Sequence, residues 1–230
     1  MTVIAVAGQK GGAGKTTVAI ALAAEWMRRD QRVLLVDADP QQTARTWAEV
    51  AGEQNKPCPT TVHMGANLWQ PDQLPRLAAG FDVVIIDTPP RLGDVQRAAL
   101  MVADVVLMPC GPSTHDTWAL AASLELINQA RTLRPDMKAA VLLTRKVAST
   151  VIGREAREVL TGTGLPVLTT ELGYRTDYQE ASAAGMGAST YRPSGPAAAE
   201  VRSMVDELEV FAGLRQSPTT GTRKKRAGAA

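Results

Sequence analysis

Gly8-Gln9-Lys10-Gly11-Gly12-Ala13-Gly14-Lys15-Thr16-Thr17 stands between the apolar run Val3–Ala7 and the stretch Val18-Ala19-Ile20-Ala21-Leu22-Ala23-Ala24. The first flank reads as a buried strand and the second as a helix, so the glycines occupy a strand-to-helix turn. Such a turn aims backbone N–H groups at one point and adds the positive end of the helix dipole, which suits phosphate. Glycine is needed there because a Cβ would hold the backbone away from phosphate oxygens. Lys15 then suits the β- and γ-phosphates, and the Thr16 hydroxyl suits Mg²⁺. A glycine-rich turn with incidental lysines is the bland alternative, and it leaves the flanking strand and helix unexplained. Lys10 is a second lysine at the mouth of the turn.

Outward from this stretch, short β-branched runs alternate with helical ones. Strands are expected at Val3–Ala7, Arg32–Val36, Phe81–Ile86, Val105–Pro109 and Ala139–Thr144, with weaker ones at Val62–Met64 and Leu165–Leu168. Helices are expected over Thr16–Arg29, Gln41–Val50, Asp94–Val102, Thr114–Leu133 and Pro196–Phe211. Continuous apolar strands imply burial on both faces. The expected fold is therefore α/β: a single-domain P-loop NTPase with a mostly parallel twisted sheet flanked by helices. Right-handed crossovers would gather the loops Gly8–Thr17, Asp37–Gln41, Asp87–Pro90 and Thr144–Lys146 along one edge.

At 230 residues, with 45% apolar and 21% charged side chains, the chain suits one soluble domain, expected over residues 1–215. Residues 216–230 read as a basic, disordered tail. The formal charge is +2, but Arg223, Lys224, Lys225 and Arg226 leave 21 basic against 23 acidic residues in the remainder. A chain-wide electrostatic case for nucleic acid therefore fails, and only a local patch could serve. Cys58 and Cys110 offer neither metal spacing nor a disulfide framework, and His63 and His115 have no metal partners at useful spacing. The apolar stretches are interrupted well before the ~20 residues of a membrane span.

Asp37-Ala38-Asp39-Pro40-Gln41 puts two acids at one strand end, where an undirected pair would repel; a Mg²⁺ and a water to be oriented would justify it. Asp87-Thr88-Pro89-Pro90 ends another buried run. Either acid alone could be a helix cap or a loop ion pair, but their shared position beside the glycine turn argues against that.

The pattern Lys10-Gly-Gly-x-Gly-Lys-Thr-Thr17 resembles the deviant Walker A group of P-loop ATPases, which includes ParA-type partition proteins, MinD and the nitrogenase iron protein. Gln9 replaces the first glycine of the common pattern. The resemblance implies that Gly11, Gly12, Ala13, Gly14, Lys15, Thr16 and Thr17 bind ATP. It also implies that Lys10 reaches across a nucleotide-sandwich homodimer to the partner's phosphates, coupling turnover to dimerisation. By the same match Asp39 positions the attacking water, Asp37 lies near the metal shell, and Asp87 holds Mg²⁺ with Thr16. Thr144 and Arg145 stand where the family frames adenine; Arg145 could stack on the base, or be a solvated arginine beside Lys146.

Within the group, Asp37–Gln41, Met108–Thr114, Glu180-Ala181…Gly185 and Tyr191-Arg192-Pro193 look like short ParA proteins of the ParF type. That resemblance implies a slow, partner-stimulated ATPase, cytoplasmic and nucleoid-associated. Its ATP dimer would bind DNA without sequence preference and position a cargo (plasmid, chromosome origin, chemoreceptor cluster or carboxysome) through a ParB-like or adaptor protein. Arg175, Arg192 and Arg202 are the candidate DNA residues, with Lys224 and Lys225 as an added arm; any one alone is more simply a surface residue. A MinD-like membrane-surface ATPase would need an apolar anchor on a basic helix, whereas the last helix is acidic with an apolar face at core spacing. A metabolic P-loop enzyme of the same superfamily would need a substrate constellation of its own. A scaffold with a dead nucleotide site conflicts with Lys15, Thr16, Asp39 and Asp87. Trp26 and Trp118 read as core or interface residues.

Overall fold

β1 (Thr2–Val6) is buried along its length and flanked on both sides, by β4 (Val83–Asp87) and β5 (Val105–Cys110). The computed structural model describes residues 1–90, 93–147 and 149–215. Beyond β4 lie β2 (Val33–Asp37) and β3 (Thr60–His63); beyond β5 lie β6 (Lys138–Lys146) and β7 (Val167–Gly173). The order is β3-β2-β4-β1-β5-β6-β7, and every strand pair among the described residues is parallel. The connections run outward from β1 to β3, then return to β4 and cross β1 to β5, so the chain reverses direction around the central strand. Such a reversal is where open parallel sheets bind ligands.

Side chains alternate along each strand between two cores. Ile4 and Val6 pack towards α1 (Lys15–Arg28), α2 (Thr43–Glu53) and α9 (Pro196–Ala212), with the short α7 (Asp177–Ala183) and α8 (Ala188–Tyr191) beside them. Val3 and Ala5 face α3 (Leu74–Ala78), α4 (Asp94–Val102), α5 (Thr114–Leu133) and α6 (Val151–Thr161). Both strand faces are covered, which is why the strand sequences are continuously apolar rather than alternating.

The five strong strands and five helices stand where the sequence puts them, within a few residues. The two weaker strands exist as the outermost pair; β7 begins later than expected and runs on to Gly173 through irregular register with β6. α3, α6, α7 and α8 are additional. The face of α9 that carries Val201, Met204, Val205 and Leu208 is buried, as its spacing implies. Trp26 is fully buried, its Nε1 donating to Glu209 Oε1 at 3.1 Å, whereas Trp118 is 66% exposed on α5. Lys224, Lys225 and the expected tail lie outside the described residues.

Candidate functional site

Val6 stands opposite Asp87 in the sheet, and Asp87 stands opposite Asp37, so three neighbouring strands end in one row. The glycine turn leaves β1 from this row and enters α1. Gly12 and Gly14 take positive φ, +72° and +92°, which an L side chain would resist; Gly14 is also the N-cap of α1. Three side chains brace the turn. Thr144 Oγ1 donates to Ala13 O at 2.9 Å, Gln96 Nε2 to Gly8 O at 3.2 Å, and Ser123 Oγ accepts from Gln9 N at 3.2 Å.

Lys15 is nearly buried, its Nζ donating to Lys10 O at 2.9 Å. Burial lowers its pKa, against the pull of Asp87 and Asp39. Lys15 thus rests across the mouth of the loop, aimed where phosphate would sit. Asp87 is fully buried, and neither of its carboxylate oxygens has a hydrogen-bond partner. Burial pushes its carboxyl up to about 7; the Thr16 hydroxyl opposes the rise, Asp37 adds to it, and Lys15 and Asp39 act in opposite directions. An orphaned buried carboxylate beside a threonine hydroxyl fits a divalent cation. No cluster of three or more His, Cys, Asp or Glu among the described residues could hold a metal alone.

Asp37 is different. Its Oδ1 accepts from Asp39 N at 3.1 Å and its Oδ2 from Arg45 N at 2.9 Å. Its carboxylate is engaged in holding the loop and the first turn of α2, so the sequence expectation that it serves the metal competes with a structural task. Asp39 is half-buried, with Oδ1 accepting from Gln41 N at 2.9 Å, and it faces the cleft.

The cleft is about 470 Å³ in volume. Gly11, Gly12, Gly14, Lys15, Thr16, Thr17 and Asp39 form its phosphate end, and Thr144 and Arg145 lie on its wall. Ala13 is buried beneath the turn. Residues not anticipated there also line it: Leu172, Gly173, Tyr174, Tyr178 and Gln179, from the end of β7 to the start of α7. Glu200 organises that wall, accepting from Arg175 Nε at 2.8 Å, Tyr178 OH at 2.9 Å and Gly173 N at 3.2 Å. A weak strand followed by Tyr174-Arg175 was the available signal.

Lys10 does not line this cleft; its Nζ lies 2.6 Å from Asp116 Oδ1 on α5. Each arginine considered for DNA is engaged within the chain. Arg175 lines the nucleotide cleft, Arg192 pairs with Asp177 and Glu180, and Arg202 Nη1 donates to Pro193 O. The structure thus moves Arg175 from an expected outer surface to the inner wall. No helix among the described residues is long and apolar enough to cross a membrane.

A family model described as the CobQ/CobB/MinD/ParA nucleotide binding domain matches residues 4–188. The maintenance of carboxysome distribution protein A of Halothiobacillus neapolitanus is 32% identical over 208 residues, spanning 89% of this chain and 95% of that protein. The chromosome-partitioning ATPase Soj of Thermus thermophilus is 29% identical over 234 residues, spanning 89% and 94%. Among solved structures, cobyrinic acid a,c-diamide synthase from Mycobacterium smegmatis, with bound ATP analogue and magnesium, aligns with TM-score 0.76 at 24% identity, covering 96% of this chain and 99% of that one. That likeness is one of fold.

Proposed function

The chain belongs to the CobQ/CobB/MinD/ParA nucleotide-binding family, and from that premise we propose that it is a ParA-type positioning ATPase that works with ATP and Mg²⁺. In this reading the ATP-bound form is a sandwich homodimer on nucleoid DNA in the cytoplasm. A cargo-borne partner of ParB or adaptor type stimulates slow hydrolysis and releases it.

The observation that carries the reading is the division of labour between the two lysines. Lys15 is aimed into the chain's own cleft, whereas Lys10 turns out of it to Asp116. A single-chain nucleotide enzyme has no use for a cation turned away from its phosphates; a sandwich dimer does. The N–H groups of the glycine turn and the α1 terminus bind the phosphates, and Lys15 offsets their charge. Thr16 and Asp87 would hold Mg²⁺, which when bound would supply positive charge against the phosphates. Asp39, on the cleft wall, orients the attacking water, and Tyr178, Arg175 and Arg145 frame the base. Names borne by relatives that span nearly the whole chain, carboxysome distribution and chromosome partitioning, support a positioning role over a biosynthetic one.

The deciding experiment is an ATP-dependent mobility shift of arbitrary duplex DNA at rising salt. Phosphate contacts release counterions, so binding should fall steeply as salt increases. A chain that hydrolyses ATP but shifts no DNA with a non-hydrolysable analogue and Mg²⁺ would belong with the biosynthetic enzymes of the fold instead. Co-purification with the product of the adjacent gene would identify the cargo.

A further inference from the structure

β7 is an outermost strand of the sheet, and three of its N–H groups donate to side chains of α9. Glu207 accepts from Thr169 N and, at 2.8 Å, from Thr170 N. Two turns earlier on the same helix, Glu200 Oε2 accepts from Gly173 N at 3.2 Å. The register between β6 and β7 is irregular over the same stretch. Carboxylates of α9 therefore fix the end of β7 where the strand pairing is broken, and with it the start of the cleft wall.

Glu200 carries the larger share of this work. Its side chain is 17% exposed, and both oxygens are filled. Oε1 holds one edge of the Arg175 guanidinium, with Nε at 2.8 Å and Nη2 at 2.6 Å. Oε2 takes the Tyr178 hydroxyl at 2.9 Å beside the Gly173 N–H. Burial and the neighbouring Glu200 raise the pKa of the Tyr178 phenol, which keeps it a donor. Gly173 leaves room for the pair: a Cβ there would stand 3.1 Å from Arg175 Nε and 3.2 Å from Glu200 Oε1. Gly173, Arg175 and Tyr178 all line the cleft, whereas Glu200 lies outside its lining.

We propose that Glu200 is the positioning residue for the nucleoside half of the nucleotide, holding Arg175, Tyr178 and the Gly173 backbone in the pose that the base meets. It touches no ligand itself. The inference rests on the reading of the cleft as the nucleotide site.

The two halves of the cleft are anchored independently. The glycine turn is braced by Thr144, Gln96 and Ser123, from β6, α4 and α5. The opposite lining hangs on one carboxylate of α9. With the phosphates seated on the turn, the rest of the ligand must lie along that second lining. Breaking a largely buried ion pair by removing one partner leaves the other charge uncompensated. In Glu200→Gln the amide oxygen can stay on Tyr178 and Gly173, which turns its NH2 against the Arg175 donors. Arg175 must then leave its pose, while the phosphate end keeps all three of its braces.

Calorimetric titration of the full chain, in Mg²⁺ with either a non-hydrolysable ATP analogue or inorganic tripolyphosphate, separates the halves. Glu200→Gln should weaken the ATP analogue about tenfold, a shift of roughly 1.4 kcal/mol, and leave tripolyphosphate unchanged. In an Arg175→Met background the same substitution should cost less than about twofold, because the amide then faces no donor. Glu200→Asp keeps the charge but ends a methylene short of its partners. It should give the same split in smaller measure, and it carries the test if the amide variant does not fold. Equal losses for both ligands, equal losses in both backgrounds, or an unchanged ATP analogue overturn the proposal. If the wild type binds neither ligand, the nucleotide reading of the cleft fails, and the role of Glu200 falls with it.

Discussion

Asp37 and Asp87 face each other across neighbouring parallel strands, both fully buried, yet only Asp37 has its oxygens filled from within the chain. The difference separates a loop-holding carboxylate from one left open for a cation. Asp87→Asn should therefore abolish most of the gain in ATP affinity that Mg²⁺ provides, by about 10–100-fold, with little change in EDTA. Calorimetric titration with and without the metal reads this directly. Asp37→Asn should instead lower the unfolding free energy by about 1–3 kcal/mol, because it puts an amide donor against a backbone donor.

Lys15→Ala removes the cation seated at the phosphate end while leaving the backbone cradle. Nucleotide affinity should fall by at least about 100-fold, close to 2.7 kcal/mol. Fluorescent-nucleotide binding measures it, and retained affinity would mean that the backbone N–H groups alone hold the phosphates.

Asp39→Ala should leave nucleotide binding intact and stop turnover, so that the ATP form accumulates. The check is a radiolabelled single-turnover assay beside the DNA shift. Continued hydrolysis would assign the water to another group.

Glu25 lies buried on α1 between Arg28 and Arg29, which donate to it at 2.7–2.9 Å. Burial would raise its pKa, but the hydrogen bonds from the two arginines hold it below the usual carboxylate range. A depressed folded-state pKa means that the stabilisation is present above the unfolded-state value and lost as pH falls through the folded-state one. Glu25→Gln should cost roughly 1–2 kcal/mol at neutral pH, discounted because Arg28 is partly exposed. It should also make the acid limb shallower. Urea titrations from pH 7 down to the acid transition give both numbers.

Gly185 ends α7 at φ +61°, and a Cβ there would lie 2.6 Å from the backbone of Ala51 on α2. Gly185→Ala should therefore destabilise by about 2–4 kcal/mol, combining left-handed strain with overpacking against a rigid neighbour. The denaturation midpoint should drop with an unchanged slope.

The central sheet and its phosphate turn were legible because both rest on local signals: continuous apolar runs, left-handed glycines and a lysine-threonine pair at a helix start. The bounds of α5 stand as expected, and the structure adds that Ser113 and Asp116 form a capping box at its start. α7 and α8 were not legible, since helices of 7 and 4 residues owe their existence to packing, α7 against α2 and α8, and α8 against α1 and α9. α6 opens with Val151, Ile152 and Gly153, poor helix formers of which the first two are exposed, so its periodicity is faint. Among site residues, the carboxylate pair was visible as a pair, but only coordinates could show that one acid was already engaged. Arg175 read as an outer cation because its partner Glu200 lies a helix away in sequence, on α9.

β1 sits between β4 and β5, so it is synthesised long before either neighbour exists. At about 5–20 residues per second, several seconds pass before residue 87 leaves the synthetic machinery, and more before residue 110. Throughout that interval an apolar segment and its ligand turn wait with no sheet to join. The earliest-made part of the binding apparatus is thus among the last to become functional, and truncated products ending before β5 would be natural clients of chaperones rather than partial ATPases.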